Sequence, residues 1–162
     1  MKRGFYTILA AQFFSSLADN ALLIAAIALL GQIHAPGWME PLLKFFFTIA
    51  YVALACFVGP FADAMQKGHV MLVTNAVKIV GCLGLLLYGL LPGDHPSVII
   101  WYVLCAYAVV GVGAAAYSPA KYGILTELLP ADKLVVANGW MESLTVISII
   151  LGTVLGGALT NS

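Results

Sequence analysis

The chain alternates between long apolar runs and short polar breaks. Five runs approach the ~20 residues that carry a helix across a bilayer: about Phe5 to Ile33, Leu42 to Ala62, Val70 to Leu91, Val98 to Tyr117 and Gly139 to Leu159. None alternates apolar and polar residues in the manner of a barrel strand. A helix is the remaining way for a spanning segment to satisfy its own backbone in lipid. The pattern therefore predicts an all-α integral membrane protein with five transmembrane helices. The breaks carry turn residues. Pro36, Gly37 and Pro41 separate the first two runs, a short polar link from Asp63 to His69 separates the next two, and Leu91-Pro92-Gly93-Asp94-His95-Pro96 reads as a tight turn. The break from Pro119 to Asn138 is the longest, and its mixed middle predicts a short surface helix.

Composition agrees with lipid as the solvent. Apolar residues make up 62% of the 162 residues and charged residues only 9%, against about 25% charged in soluble domains. Mean hydropathy is +1.03. Seven basic and seven acidic side chains cancel, so no net charge steers the chain toward nucleic acid. Cys56, Cys82 and Cys105 lie inside apolar runs at no metal-ligand spacing, which fits small fillers between helices.

The basic residues give a direction. With five alternating crossings, Lys2, Arg3, Lys67, Lys121 and Lys133 fall on one side, and Lys44 falls on the other with Glu40 and Asp94. Positive charge collects on the cytoplasmic side, so the N-terminus is expected in the cytoplasm and the C-terminus in the periplasm. Met1-Lys2-Arg3 before an apolar run also suggests a signal peptide, but the run is too long and contains Asp19.

Charge at bilayer depth is costly and is usually kept for function. Asp19 lies about 14 residues into the first span, roughly 20 Å deep at 1.5 Å per residue, beyond snorkelling reach of either surface. Gln12, Ser15, Ser16 and Asp19 recur at helical spacing, with Asn20 at the border. This polar face fits either a buried contact between helices or a substrate or ion pathway. Lys78, roughly 12 Å into the third span, fits two readings. Its stem can snorkel to the cytoplasmic interface, or it can serve a cavity together with Thr74 and Asn75 one turn back. Glu142, with Asn138 and Thr145, lies on one face near the start of the fifth span, where an acid also complements the helix dipole. Gly152 to Gly156 is a GxxxG pattern that admits a close neighbour.

Catalytic motifs fail. Gly111-Val112-Gly113-Ala114-Ala115-Ala116 imitates a dinucleotide fingerprint, but no strand precedes it and it lies within an apolar span, so packing is its expected role. His34, His69 and His95 sit in separate loops on both sides of the membrane and cannot form one metal site. No nucleophile, base and orienting acid group together, so neither an enzyme nor a cofactor is expected.

Gly59-Pro60-Phe61-Ala62-Asp63 followed by Lys67-Gly68-His69 resembles the cytoplasmic signature of the major facilitator superfamily, at its usual place between helices two and three. Ala64 stands where that signature usually has an arginine. Three further stretches are similar to the bacterial lysophospholipid transporter branch of that superfamily. They are Ala11-Gln12-Phe13 leading to Ala18-Asp19-Asn20-Ala21-Leu22-Leu23, then Lys67-Gly68-His69-Val70-Met71, and Gly111-Val112-Gly113-Ala114-Ala115-Ala116-Tyr117-Ser118-Pro119-Ala120-Lys121-Tyr122-Gly123-Ile124-Leu125, of which Ser118 to Leu125 is the most specific part. The resemblance covers essentially the whole chain. It implies a multi-pass protein of the bacterial inner membrane that flips lysophospholipids such as lysophosphatidylethanolamine to the inner leaflet. There a lysophospholipid acyltransferase, the implied functional partner, re-acylates them. It also implies that Asp19 belongs to the central cavity and Lys121 to the cytoplasmic gate or headgroup path, with Gly59, Asp63, Lys67 and Gly68 as the cytoplasmic motif. The superfamily builds two six-helix halves around its site. Residues 1–162 are therefore expected to form one partial N-terminal transporter domain that needs further helices to close its cavity. A five-helix scaffold or accessory protein without transport is the competing reading, and it explains the GxxxG face better than it explains Asp19.

The orientation is tested by reporter fusion. A periplasm-active reporter placed after Ser162 is expected to be active, and the same reporter in the Asp63 to His69 link inactive. The opposite pattern would invert the topology.

Overall fold

The computed structural model describes residues 3–90 and 96–160, without the side chains of Arg3, of 55, 56 and 58–64 in the second helix, and of 89, 90 and 96. The expected turn at 91–96 therefore falls almost wholly outside the described residues. So do Lys2, Asp94, His95 and Ser162, the side chains of Cys56 and Asp63, and the surroundings of Gly59. Five long helices follow one another: α1 Arg3–Gln32, α2 Met39–Ala64, α3 Lys67–Leu86, α4 Pro96–Leu128 and α5 Ala131–Thr160, with one 3-10 turn, Leu87–Leu90, after α3. The chain is an all-α membrane protein. Among the described residues α1, α3, α4 and α5 are each long and apolar enough to cross a membrane, and α2, with 26 residues, spans roughly 39 Å at the helical rise.

The links are tighter than the polar breaks suggested. Only Met65 and Gln66 separate α2 from α3, and Met65 is extended. Gln66 too leaves the helical conformation, with ψ 126°, and α3 restarts with its carbonyl accepting from the N–H groups of His69 and Val70 at 2.9 and 3.1 Å. The expected surface helix within 119–138 does not form as a separate element. α4 runs through Pro119 to Leu128, and α5 begins at Ala131. Pro119 lacks an N–H and so gives up one bond to the preceding turn, but membrane helices absorb prolines where neighbouring helices cover the freed group. The buried residues Tyr117 and Ala120 flank that point. Pro130 makes the actual break, and its carbonyl accepts from the Lys133 N–H at 3.0 Å to start α5.

The end of α1 is capped by its own backbone. The Ala35 N–H reaches the Leu30 carbonyl at 2.9 Å and the His34 N–H reaches that of Gly31 at 3.1 Å, the bond pair of a Schellman cap. The residue between must be left-handed, and His34 takes φ 51° where glycine is usual. Pro36 follows and ends the helix.

The helices form two groups. α4 packs along α3 on one side and α2 on the other, while α1 packs along α5, and the groups meet chiefly where α1 approaches α4. Lipid supplies little drive for one apolar helix to join another, so close approach depends on small residues. A side chain at Gly156 would lie 2.8 Å from Ile24 Cβ and 2.9 Å from the Ala21 carbonyl oxygen, and one at Gly152 would collide with the Leu17 carbonyl oxygen. The GxxxG face of α5 thus has α1 as its partner. Gly111 meets Phe47 of α2, and Gly81 of α3 meets Val110 and Ala106 of α4. The fingerprint-like Gly111 to Ala116 run is helix packing, within α4.

Two apolar clusters occupy the two ends of the bundle. One gathers Phe5, Leu9, Val70, Leu125 and Met141 near the start of α1. The other gathers Leu29, Leu30, Leu43, Leu85 and Leu104 near its end. The polar face of α1 lies between them.

Replacing Gly156 by leucine is expected to lower stability by about 1–3 kcal/mol, the usual cost of overpacking a close contact. Gly157→Leu, at a position with open space around it, is expected to be close to neutral. Thermal unfolding of the two variants in detergent distinguishes them, and equal losses would remove the α1–α5 contact as the cause.

Candidate substrate pathway

The polar residues of α1 do not share one partner. They divide between neighbouring helices. Ser15 and Asp19, one turn apart, face α3. There Lys78 Nζ donates to Asp19 Oδ2 at 2.6 Å and to Ser15 Oγ at 2.9 Å, and the Ser15 hydroxyl in turn donates to Asn75 Oδ1 at 3.0 Å. Gln12 faces α5, where its amide donates to Thr145 Oγ1 at 2.9 Å. Asn20 turns back onto its own helix and donates to the Ser16 carbonyl at 2.8 Å.

Lys78 is therefore not a snorkelling lysine. It is 6% exposed, its ammonium is held by Asp19, and it lies 5.2 Å from the centre of the Tyr117 ring. The reason for this inward course is on α4. A Cβ at Gly113 would stand 2.7 Å from Lys78 Cγ, so glycine is what lets the lysine stem run between α3 and α4. Asn75 joins the cluster as expected. Thr74 does not, because its hydroxyl is bound to the carbonyls of Val70 and Met71 in its own helix at 2.8 and 3.1 Å.

A second charged group lies between α4 and α5. Lys121 is buried, and its Nζ is 3.4 Å from Glu142 Oε1 and 4.5 Å above the Tyr122 ring. The Tyr122 hydroxyl also donates to Glu142. Glu142 does not complement the α5 dipole. The helix starts at Ala131, three turns earlier, and the dipole effect fades within the first turn. Glu142 instead pairs across to α4, while Asn138 makes no contact in this group.

Both charged groups border one polar cleft of about 120 Å³, whose lining includes Gln12, Asp19, Lys78, Tyr117, Ser118 and Lys121. Asp19, Gln12, Lys78 and Lys121 are thus brought together. Lys67 and Gly68, at the start of α3, do not line this cleft, and the Lys67 stem lies against Gly123 of α4. The Tyr117 hydroxyl is buried and has no hydrogen-bond partner among the described residues, although it lines the cleft. Tyr51, Tyr117, Ser118, Tyr122 and Gly113 are additions to the residues read from sequence. Ala114, Tyr117, Ser118 and Lys121 follow helical spacing, and that signal becomes visible once the helix is carried through Pro119. Among the described residues no group of three or more His, Cys, Asp or Glu side chains could hold a metal.

Chemically, the cleft offers an ammonium, a phenol and a hydroxyl as donors, and a carboxylate as acceptor, inside a water-poor frame. Such a surface can hold an anion and a cation of one zwitterion at separate points. Long apolar helices around a polar midplane mark a multi-pass membrane protein, and the chain belongs to the Major Facilitator Superfamily, whose sequence pattern matches residues 6–162. Within it, the chain is 46% identical over 159 residues to the lysophospholipid transporter LplT of Klebsiella pneumoniae, covering 98% of this chain and 37% of that relative. It is 47% identical over 161 residues to the LplT of Yersinia enterocolitica, covering 99% of this chain and again 37% of the relative. The LplT of Salmonella paratyphi B is 47% identical over 159 residues, with 98% and 37% covered. The chain thus spans a little over a third of the length of these relatives. No solved structure matches it.

The ion pair makes a stability test. Lys78→Met leaves Asp19 unpaired and is expected to destabilise the bundle by about 2–4 kcal/mol, somewhat under the usual cost of breaking a buried pair because the carboxylate borders a cleft. Adding Asp19→Asn should recover most of that loss. A double variant no more stable than the single would show that the two side chains do not depend on one another.

Proposed function

We propose that this chain forms one wall of a lysophospholipid transporter in the bacterial inner membrane. The observation that carries the reading is the Asp19–Lys78 pair, set at mid-depth between two apolar clusters and opening onto the cleft that Lys121 borders. A lysophospholipid keeps its single acyl chain in apolar surroundings while its headgroup crosses. The headgroup therefore needs polar contacts through the middle of the membrane, where each unsatisfied group is costly. Lys121 and the free Tyr117 hydroxyl suit the phosphate, and Asp19 suits the ammonium of ethanolamine. The names of the relatives support the substrate class. A scaffold without transport has no use for a charge pair facing a cleft, because apolar faces and the α5 glycines suffice for helix association.

In this reading the N-terminus is cytoplasmic, as the basic residues suggest, so the headgroup travels from the end of the bundle where α1 finishes toward the end carrying Lys121. Lys121 and Glu142 then act as the inner gate, and Gly59, Asp63, Lys67 and Gly68 as the cytoplasmic motif beside it. The domain is residues 1–162, and the opposing wall of the cavity comes from further helices. An acyltransferase on the cytoplasmic face consumes the product.

The test replaces the matching segment of the Klebsiella transporter with this chain. Uptake of labelled lysophosphatidylethanolamine into spheroplasts is expected to proceed, and Asp19→Asn to lower it by at least about tenfold, with unchanged membrane abundance, as befits loss of a charge-assisted contact worth more than 1.4 kcal/mol. Unimpaired uptake by the Asn variant would reduce Asp19 to a helix-packing contact.

A further inference from the structure

Asp19 and Ser16 border two clefts. Besides the one leading to Lys121, a second of about 310 Å³ lies on the opposite side of Asp19, toward the end of α1, and its lining includes Asn20, Lys44, Thr48 and Tyr107. Its size is at the lower end of small-molecule sites. Lys44 stands in the second turn of α2, at the end of the bundle remote from Lys121. Its side chain is exposed, and among the described residues it makes no ion pair or hydrogen bond.

An interfacial anchor would account for a lysine near a helix end, but its direction argues otherwise. α2 turns Phe45, Ile49 and Val52, a stripe at helical spacing, outward and exposed. Lys44, Thr48 and Tyr51 form a separate stripe. Lys44 and Thr48 border the outer cleft, and Tyr51 borders the inner one. The polar stripe of α2 thus runs beside that of α1 past both clefts, with Asp19 at their junction.

We propose that Lys44, with Thr48 and Asn20 beside it, is a phosphate-binding station at the outer end of the pathway. It takes the phosphodiester of a single-chain phospholipid before the headgroup reaches Asp19. The identity of the ligand rests on the transport reading above. The anion site itself rests on the unpaired ammonium beside the Thr48 hydroxyl and the Asn20 amide, in a cleft whose lining also includes Leu23, Phe47 and Tyr107. Lysine supplies a point charge with three donors, and Thr48 adds a hydroxyl. Asn20 spends one amide hydrogen on the Ser16 carbonyl and keeps the other. Asp19 at the rim repels a lone anion but accepts an ammonium, so a zwitterionic headgroup enters oriented, with its phosphate on Lys44 and its amine toward Asp19.

The test measures equilibrium binding to the 162-residue chain in lipid nanodiscs, with lysophosphatidylethanolamine and dodecyl phosphate as ligands and glycerophosphoethanolamine as a chain-free competitor. Lys44→Gln is expected to raise Kd for both ligands about tenfold, and Lys44→Arg to stay within about threefold of the wild type, because only the first removes the charge. Glycerophosphoethanolamine should compete weakly, lacking the acyl chain. Unchanged affinity of the Gln variant for both ligands would overturn the station. Dodecyl phosphate binding that depends on Lys44, without any lysophosphatidylethanolamine binding, would keep the anion site and overturn the lysophospholipid reading. Competition by glycerophosphoethanolamine as strong as that by the intact lipid would keep the anion site and overturn a lipid as its ligand.

Discussion

A carboxylate and an ammonium placed at mid-depth in a membrane cannot be left to separate partners, and the Asp19–Lys78 pair sets what the neighbouring helices must do. α1 and α3 touch little elsewhere, so the pair and the Ser15–Asn75 bond beside it are their main side-chain link at this height. α4 must come close enough to bury the lysine stem, which Gly113 allows, and must place the Tyr117 ring near the ammonium. One electrostatic requirement thereby positions three helices around the cleft.

The rest of the bundle supplies close packing without help from water. Gly152 and Gly156 bring α5 onto α1, Gly111 admits Phe47 of α2, and Gly81 admits Val110 of α4. These contacts leave an apolar cluster at each end and a polar layer between. Gln12 and Thr145 close that layer on the α5 side. The proposed headgroup path would need this arrangement: apolar surroundings at either end for helix stability, and hydrogen-bonding capacity where lipid offers none.

The charged side chains follow one another along the proposed path in a way that no single helix displays. Lys44 belongs to α2, Asp19 to α1, Lys78 to α3 and Lys121 to α4. Each cation lies on a different helix, and the carboxylate that borders both clefts lies on the one that packs along α5. The three lysines belong to the group of α2, α3 and α4, so relative movement of the two helix groups would change their distances to Asp19 rather than their distances to one another.

The sequence by itself determined the all-α membrane class, the five helices and their approximate centres, because apolar runs of this length have no other stable form in lipid. It also determined that Gln12, Ser15, Ser16 and Asp19 share a face, since that follows from helical periodicity alone. It misjudged the 119–138 segment, where proline chemistry argued for a break and tertiary cover made a continuous α4 acceptable. From that error followed another: Glu142 looked like a helix-start acid. Only the tertiary structure decided that Lys78 turns inward to Asp19, that Gln12 meets Thr145 and that the α5 glycines meet α1. Spacing along a chain defines the faces of one helix, whereas the choice of which faces meet depends on small residues and buried charges contributed by several helices at once.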